Sequence, residues 1–228
     1  MPTYRAGHFF RFILPPTATG IVYFLAATIT FGLVGGSGGV AILWPASGIL
    51  LAILLSSGWG RAYRHVIAAG AASLAANVLA GNSLGISFGF TVANISESIA
   101  AAWFLRQQLP RRLSFSQPSD LVWFCLAAAA GSALSATIAV VVAPISSIEF
   151  WFSWFSTDLL GILIVTPLAM IGAKAVRSDG RIGQASVMLE GLLIFALVAI
   201  VSWVVFSQTG APILFLPMLA VLMSASRL

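Results

Sequence analysis

The chain has 228 residues, of which 60% are hydrophobic and 7% charged, and its mean hydropathy is +1.04. That composition excludes a soluble globular protein, which needs far more polar surface to cover a core of this size, and places the chain in the membrane class. The formal charge of +5 does not argue for nucleic acid, because the basic residues are scattered over short loops and ends where topology and anionic lipid headgroups account for them.

The apolar stretches predict eight membrane spans, over 14–35, 40–57, 64–81, 84–105, 120–142, 149–172, 187–207 and 211–226. The first stretch is too long for the core of a signal peptide, and Arg5 and Arg11 before it act as a topology anchor. The remaining basic residues form four groups: Arg61 and Arg64; Arg106, Arg111 and Arg112; Lys174, Arg177 and Arg181; and Arg227. Two predicted spans separate each group from the next, and the alternate gaps carry no Lys or Arg. By the positive-inside rule both termini are expected in the cytoplasm. Tryptophans are expected as two interfacial belts, Trp44, Trp151, Trp154 and Trp203 outside and Trp59, Trp103 and Trp123 inside. The predicted outer loops are only a few residues long, so no exported ligand-binding domain is expected.

Small residues mark helix contacts. Gly32/Gly36, Gly35/Gly39 and Gly85/Gly89 have GxxxG spacing, and the third span runs Ala68, Ala69, Gly70, Ala71, Ala72, Ser73, Ala75, Ala76. Such residues let helix backbones approach closely in lipid, which predicts a central place for the third span. No internal repeat of the kind that builds transporters is evident.

Two carboxylates lie well inside predicted spans, Glu97 in the fourth and Asp158 in the sixth. Each is about nine residues from the nearer end, about 13 Å at the helical rise. A charge at that depth costs about 2.5–3.5 kcal/mol on insertion scales, so such residues face a bundle interior and need partners or a proton. No Lys, Arg or His lies at their depth, leaving Asn77, Asn94, Ser and Thr as partners. Asn94 and Glu97 share a helix face at i, i+3; Trp154, Asp158 and Gly161 share one at i, i+4, i+7. The latter face predicts an aromatic one turn outward of Asp158 and a gap one turn inward. Three readings stand: a hydrogen-bonded latch between spans four and six, a site for a small polar or cationic ligand, or an accidental lipid-facing pair.

Trp44-Pro45 opens the second span, either as an interfacial helix start or as the lip of an outward-facing cavity. Thr166-Pro167, near the inner end of the sixth, frees a carbonyl and can kink the helix, which makes the two residues coupling candidates. His8 and His65 are expected at the cytoplasmic interface, too far apart in sequence and too few for a metal site. With Cys125 the only cysteine, a cysteine cluster and an intrachain disulfide are excluded. No catalytic set, phosphate loop or haem motif is present, so no enzyme activity and no cofactor are expected.

Taken together, Trp44-Pro45-Ala46-Ser47-Gly48-Ile49, Asn77, Asn94…Glu97 followed by Leu105-Arg106, Asp120, Trp154…Asp158…Gly161…Thr166-Pro167 and Pro217 resemble the MASE1 family over nearly the whole chain. That family comprises membrane-associated sensory domains found before histidine kinases and diguanylate cyclases or phosphodiesterases in bacteria. The resemblance implies a single sensory domain over 1–228, an all-α bundle of about eight spans in the inner membrane. It also implies an output module after Arg227-Leu228, where the family pattern reads Arg-Phe-Gly; the chain is expected to be a fragment. Dimerisation through the output module and contact with membrane lipids are expected. So is a small ligand or a partner membrane protein, unidentified in either case. Asp158, Glu97, Asn94, Trp154, Trp44 and Asn77 are the ligand or latch candidates. The competing reading is a transporter that moves a small solute, proton or cation past Glu97 and Asp158.

Overall fold

The computed structural model describes residues 15–34, 43–109, 113–143 and 147–175. Among them are six helices and no strand: α1 (Pro16–Val34), α2 (Pro45–Ser56), α3 (Trp59–Leu79), α4 (Leu84–Gln108), α5 (Pro118–Val142) and α6 (Ile148–Ala175). The all-α expectation holds, and α4, α5 and α6 are each long and apolar enough to cross a membrane. The seventh and eighth predicted spans, with Trp203, Pro217 and Arg227, lie outside the described residues, as do His8, Gly35, Gly36 and Gly39.

Local chemistry sets the helix starts. Pro45 and Pro118 each stand in the first turn, where a missing N–H removes nothing from the ladder. Ser83 caps α4 by accepting the Ile86 N–H. Asp120 sits in the first turn of α5, where a carboxylate suits the helix dipole, and accepts the Ser114 N–H at 2.9 Å, tying the preceding loop to the helix. The α3–α4 turn needs Gly81 at φ +93, a left-handed conformation that side chains resist.

Two boundaries depart from the hydropathy reading. The third helix begins at Trp59 rather than at 64, because Gly58 provides the extended cap and Trp59–Arg64 continue as helix. The second helix is only 12 residues long, about 18 Å, and cannot by itself cross a hydrocarbon core of about 30 Å. Residues 43–44 before it are non-helical. An apolar run does not reveal where its helix starts; Pro45 does.

The short α2 occupies the interior. Most of its residues are buried, and it packs against α1, α3 and α4. It also meets α6, where the Thr166 hydroxyl donates to the Gly48 carbonyl at 3.0 Å. The third span, expected at the centre, packs against α1, α2 and α4. α3 buries one stripe, including Ala62, His65, Ala69, Ala72 and Ala76, but leaves Tyr63, Ile67 and Leu79 exposed.

The GxxxG pairs are contacts only in part: an added Cβ at Gly32 or Gly85 would meet nothing within 4 Å, whereas Gly89 is pressed against Val142 of α5. Outside these pairs, Gly48, Gly131 and Gly161 are pressed against neighbouring helices or the residues leading into them.

α2 and α4 run parallel, pinned at both ends of α2. Near its start, the Ser98 hydroxyl donates to the Ser47 carbonyl at 3.1 Å. At its other end, one guanidinium nitrogen of Arg106 donates to the carbonyls of Leu54 and Ser57 at 2.6 and 2.7 Å, and the guanidinium lies 4.8 Å from the Trp59 ring centroid. A cation on the last carbonyls of a helix complements both its unpaired acceptors and its dipole. Arg106→Ala should therefore lower stability by about 2 kcal/mol, and Arg106→Lys should recover only part of it, since an ammonium lacks the planar stacking surface. Thermal unfolding of the two variants in lipid nanodiscs measures this; equal stability of the alanine variant and the parent would refute it.

His65 is buried between helices. Its Nδ1 lies 2.8 Å from the Thr19 hydroxyl, joining α3 to α1. Thr19→Val removes that partner and should cost about 1–2 kcal/mol by the same assay, with Thr19→Ser close to the parent.

Candidate functional site

The fourth and sixth helices bring their acids together. Glu97, at the middle of α4, is fully buried, and Asp158 on α6 is 3% exposed. Their carboxyls are neighbours. The helix between them supplies the partners. On α5, the Ser132 hydroxyl donates to Glu97 Oε1 at 2.6 Å and the Ser135 hydroxyl to Asp158 Oδ2 at 2.8 Å. Trp154 Nε1 donates to the same Ser135 oxygen at 2.9 Å. Gly131 makes this approach possible, since a Cβ there would lie 2.9 Å from the Glu97 carbonyl oxygen. The lipid-facing reading of the acids is therefore set aside: both are interior.

The start of α2 closes the arrangement. Ser47, in its first turn, adjoins the Glu97 carboxyl. The first N–H groups of a helix have no intrahelical partner and carry a partial positive charge of about half a unit, which favours a carboxylate nearby. Trp44, the residue before this helix, donates its backbone N–H to the Thr157 carbonyl at 3.2 Å. Its indole is 7% exposed and packs edge-on against Phe31, with ring centroids 5.1 Å apart. Trp44 is thus buried among the helices rather than exposed at the rim of an open cavity.

The gap expected inward of Asp158 is filled. Gly161 receives the Trp44 carbonyl, and Gly48 receives the Gly161 carbonyl, so α2 and α6 touch backbone to backbone. Thr166, one turn further along α6, holds Gly48, and Pro167 lies inside the helix immediately after.

Of the other candidates, Asn94 is buried with its Oδ1 unpartnered, on the Glu97 face of α4. Trp154 reaches the site through Ser135 and packs on Phe90 at 4.7 Å between centroids. Asn77 stays with the α3–α4 turn instead. Its amide donates to the Ser73 carbonyl at 2.9 Å, and its Oδ1 accepts from Asn82 at 3.3 Å. Ser47, Ser132 and Ser135 belong to the site and were covered in the sequence only by the general expectation of Ser and Thr partners. The signal for the α5 pair was their i, i+3 spacing beside Gly131 on a stripe of small residues. Among the described residues no group of three or more His, Cys, Asp or Glu could hold a metal ion.

An all-helical bundle with helices of membrane-crossing length and its acids sunk in a helix joint belongs to the membrane-embedded class. More specifically, the chain belongs to the MASE1 family, whose model matches residues 16–228 and which is a family of membrane-associated sensory domains. No curated protein and no solved structure matches the chain.

Proposed function

We propose that the chain is the membrane-embedded input domain of a bacterial signal-transduction protein, which couples a stimulus at the Glu97–Asp158 joint to a cytosolic kinase or cyclic-di-GMP module. In this reading the domain has eight spans in the inner membrane with both ends cytosolic, is not itself catalytic, and is paired with a second copy through the output module.

One observation carries the reading. The residues of the family's Trp-Pro and Trp…Asp…Gly…Thr-Pro elements meet at one buried joint, where α2 abuts α6 beside the α4–α5–α6 acid network. A stimulus that alters the acids alters the seating of α2 on α6. Gly48, Thr166 and Pro167 then pass the change along α6. Any such switch requires that the stimulus interact differently with two packings.

The test is a chimera of residues 1–228 with a cyclase output, carrying Glu97→Gln or Asp158→Asn. Coupling energies of ordinary size predict a loss of at least about fivefold in the response to conditions that regulate the parent. Unchanged regulation in both variants would overturn the reading.

A further inference from the structure

Around the acids, polar atoms are left over. Among the described residues, three buried side-chain oxygens on the elements that meet at the acids lack a close, well-aligned hydrogen bond: Ser47 Oγ, Asn94 Oδ1 and Glu97 Oε2. Ser47 and Asp158 adjoin the Glu97 carboxyl, while Tyr23 pairs with Ser73 and Trp44. Asn94 is on the Glu97 face one turn away. An unpaired buried polar atom costs about 1–3 kcal/mol, so three on the elements around one pair of acids is an expensive arrangement.

Charge narrows what fits. No described Lys, Arg or His contacts the pair. α1 brings Tyr23, α2 brings only Ser47, α3 brings Ser73, α5 brings the two serines, and His65 is committed to Thr19. Two adjacent carboxylates without a cation repel strongly at this depth. The unpaired acceptors are all oxygens, the ligand type of hard cations. A divalent ion is the poorer match: calcium takes about 6–8 oxygens and magnesium demands near-ideal octahedral geometry, whereas this cluster offers only four oxygen-bearing side chains. With a monovalent ion the two carboxylates retain one net negative charge, and the N-terminus of α2 offsets it.

We propose that Glu97 and Asp158, with Ser47 and Asn94, form a binding site for a small monovalent cation of the sodium class, which enters as a proton leaves. This deepens the input-domain reading and rests on it for its biological meaning, but the binding itself is independent. One sodium ion replaces one proton, so the charge of the site is conserved.

The experiment is a tryptophan-fluorescence titration of the full 228-residue chain in lipid nanodiscs, with sodium chloride against choline chloride at constant ionic strength. Trp154, bonded to the serine that holds Asp158, reports on the acids. The expected result is a saturable sodium response absent with choline, its midpoint rising about tenfold for each unit fall in pH, as one-for-one competition requires. Glu97→Gln and Asp158→Asn should abolish the response. Ser47→Ala, a smaller change that preserves the fold, should weaken it about tenfold. A response equal in choline, a pH response without sodium dependence, or a sodium response surviving in both acid variants would overturn the proposal. The chimera separates the two ideas. Acid-dependent regulation without sodium binding leaves the input reading standing and removes the cation; sodium binding without acid-dependent regulation does the reverse.

Discussion

Gly161→Val is expected to prevent the bundle from closing, and Gly161→Ala to lower its stability by about 3 kcal/mol, the upper end of the usual cost of overpacking. A Cβ at this position runs into the Trp44 carbonyl oxygen, with the carbonyl carbon at 2.7 Å and Cα at 3.4 Å. All three atoms are backbone, so no side chain can swing aside. The backbone is also poorly placed to retreat. The Trp44 N–H is held by Thr157, and Pro45 restricts the chain immediately after. Gly48→Ala meets the same interface from the other side, against the Gly161 carbonyl and, at 2.8 Å, Val165 Cβ, and should cost a similar amount. Gly70→Ala is the control. Nothing lies within 4 Å of its added Cβ, and alanine favours helix over glycine, so that variant should be at least as stable as the parent. Thermal unfolding midpoints in nanodiscs decide the matter; equal midpoints for Gly161→Ala and Gly70→Ala would mean that the α2–α6 contact does not bear on stability.

How much of this joint is readable in the sequence depends on whether the signal is local. Trp154, Asp158 and Gly161 share a face because of the helical period, and the first two do converge on Ser135. The depth of Glu97 and Asp158 follows from counting apolar residues, and their burial follows from the cost of the alternative. What comes from elsewhere in the chain is not readable. Gly161 looks like a gap from α6 alone, since the Trp44 carbonyl that occupies it arrives from a distant segment. Small-residue spacing is equally ambiguous: within one GxxxG pair an added Cβ at Gly85 would meet nothing while one at Gly89 would meet Val142, and Gly131, outside any GxxxG pair, admits the Glu97 backbone. Trp44 illustrates the same limit. A tryptophan beside a helix-opening proline has the signature of an interface anchor, and its burial against Phe31 of α1 is not visible from its own segment.

Ser135→Ala should be the most damaging single-atom deletion in the acid network, costing about 3 kcal/mol against about 1.5 for Ser132→Ala. The difference follows from what each hydroxyl serves. Ser132 donates to one carboxyl oxygen of Glu97. Ser135 stands in the middle of a chain, accepting from Trp154 Nε1 at 2.9 Å and donating to Asp158 Oδ2 at 2.8 Å, so its loss removes two hydrogen bonds at once. A second substitution shows whether the chain is real. Trp154→Phe removes the stranded donor while keeping an aromatic ring against Phe90. If Trp154 and Asp158 are joined only through Ser135, the double variant Ser135→Ala/Trp154→Phe should cost less than the sum of the two single changes by about 1 kcal/mol. Additive costs would mean that Trp154 and Ser135 act separately, and that Asp158 is held to α5 without help from the aromatic cluster. Non-additivity would mean that the aromatic cluster around Trp154 is energetically coupled to α5 through Ser135, the residue that also holds Asp158.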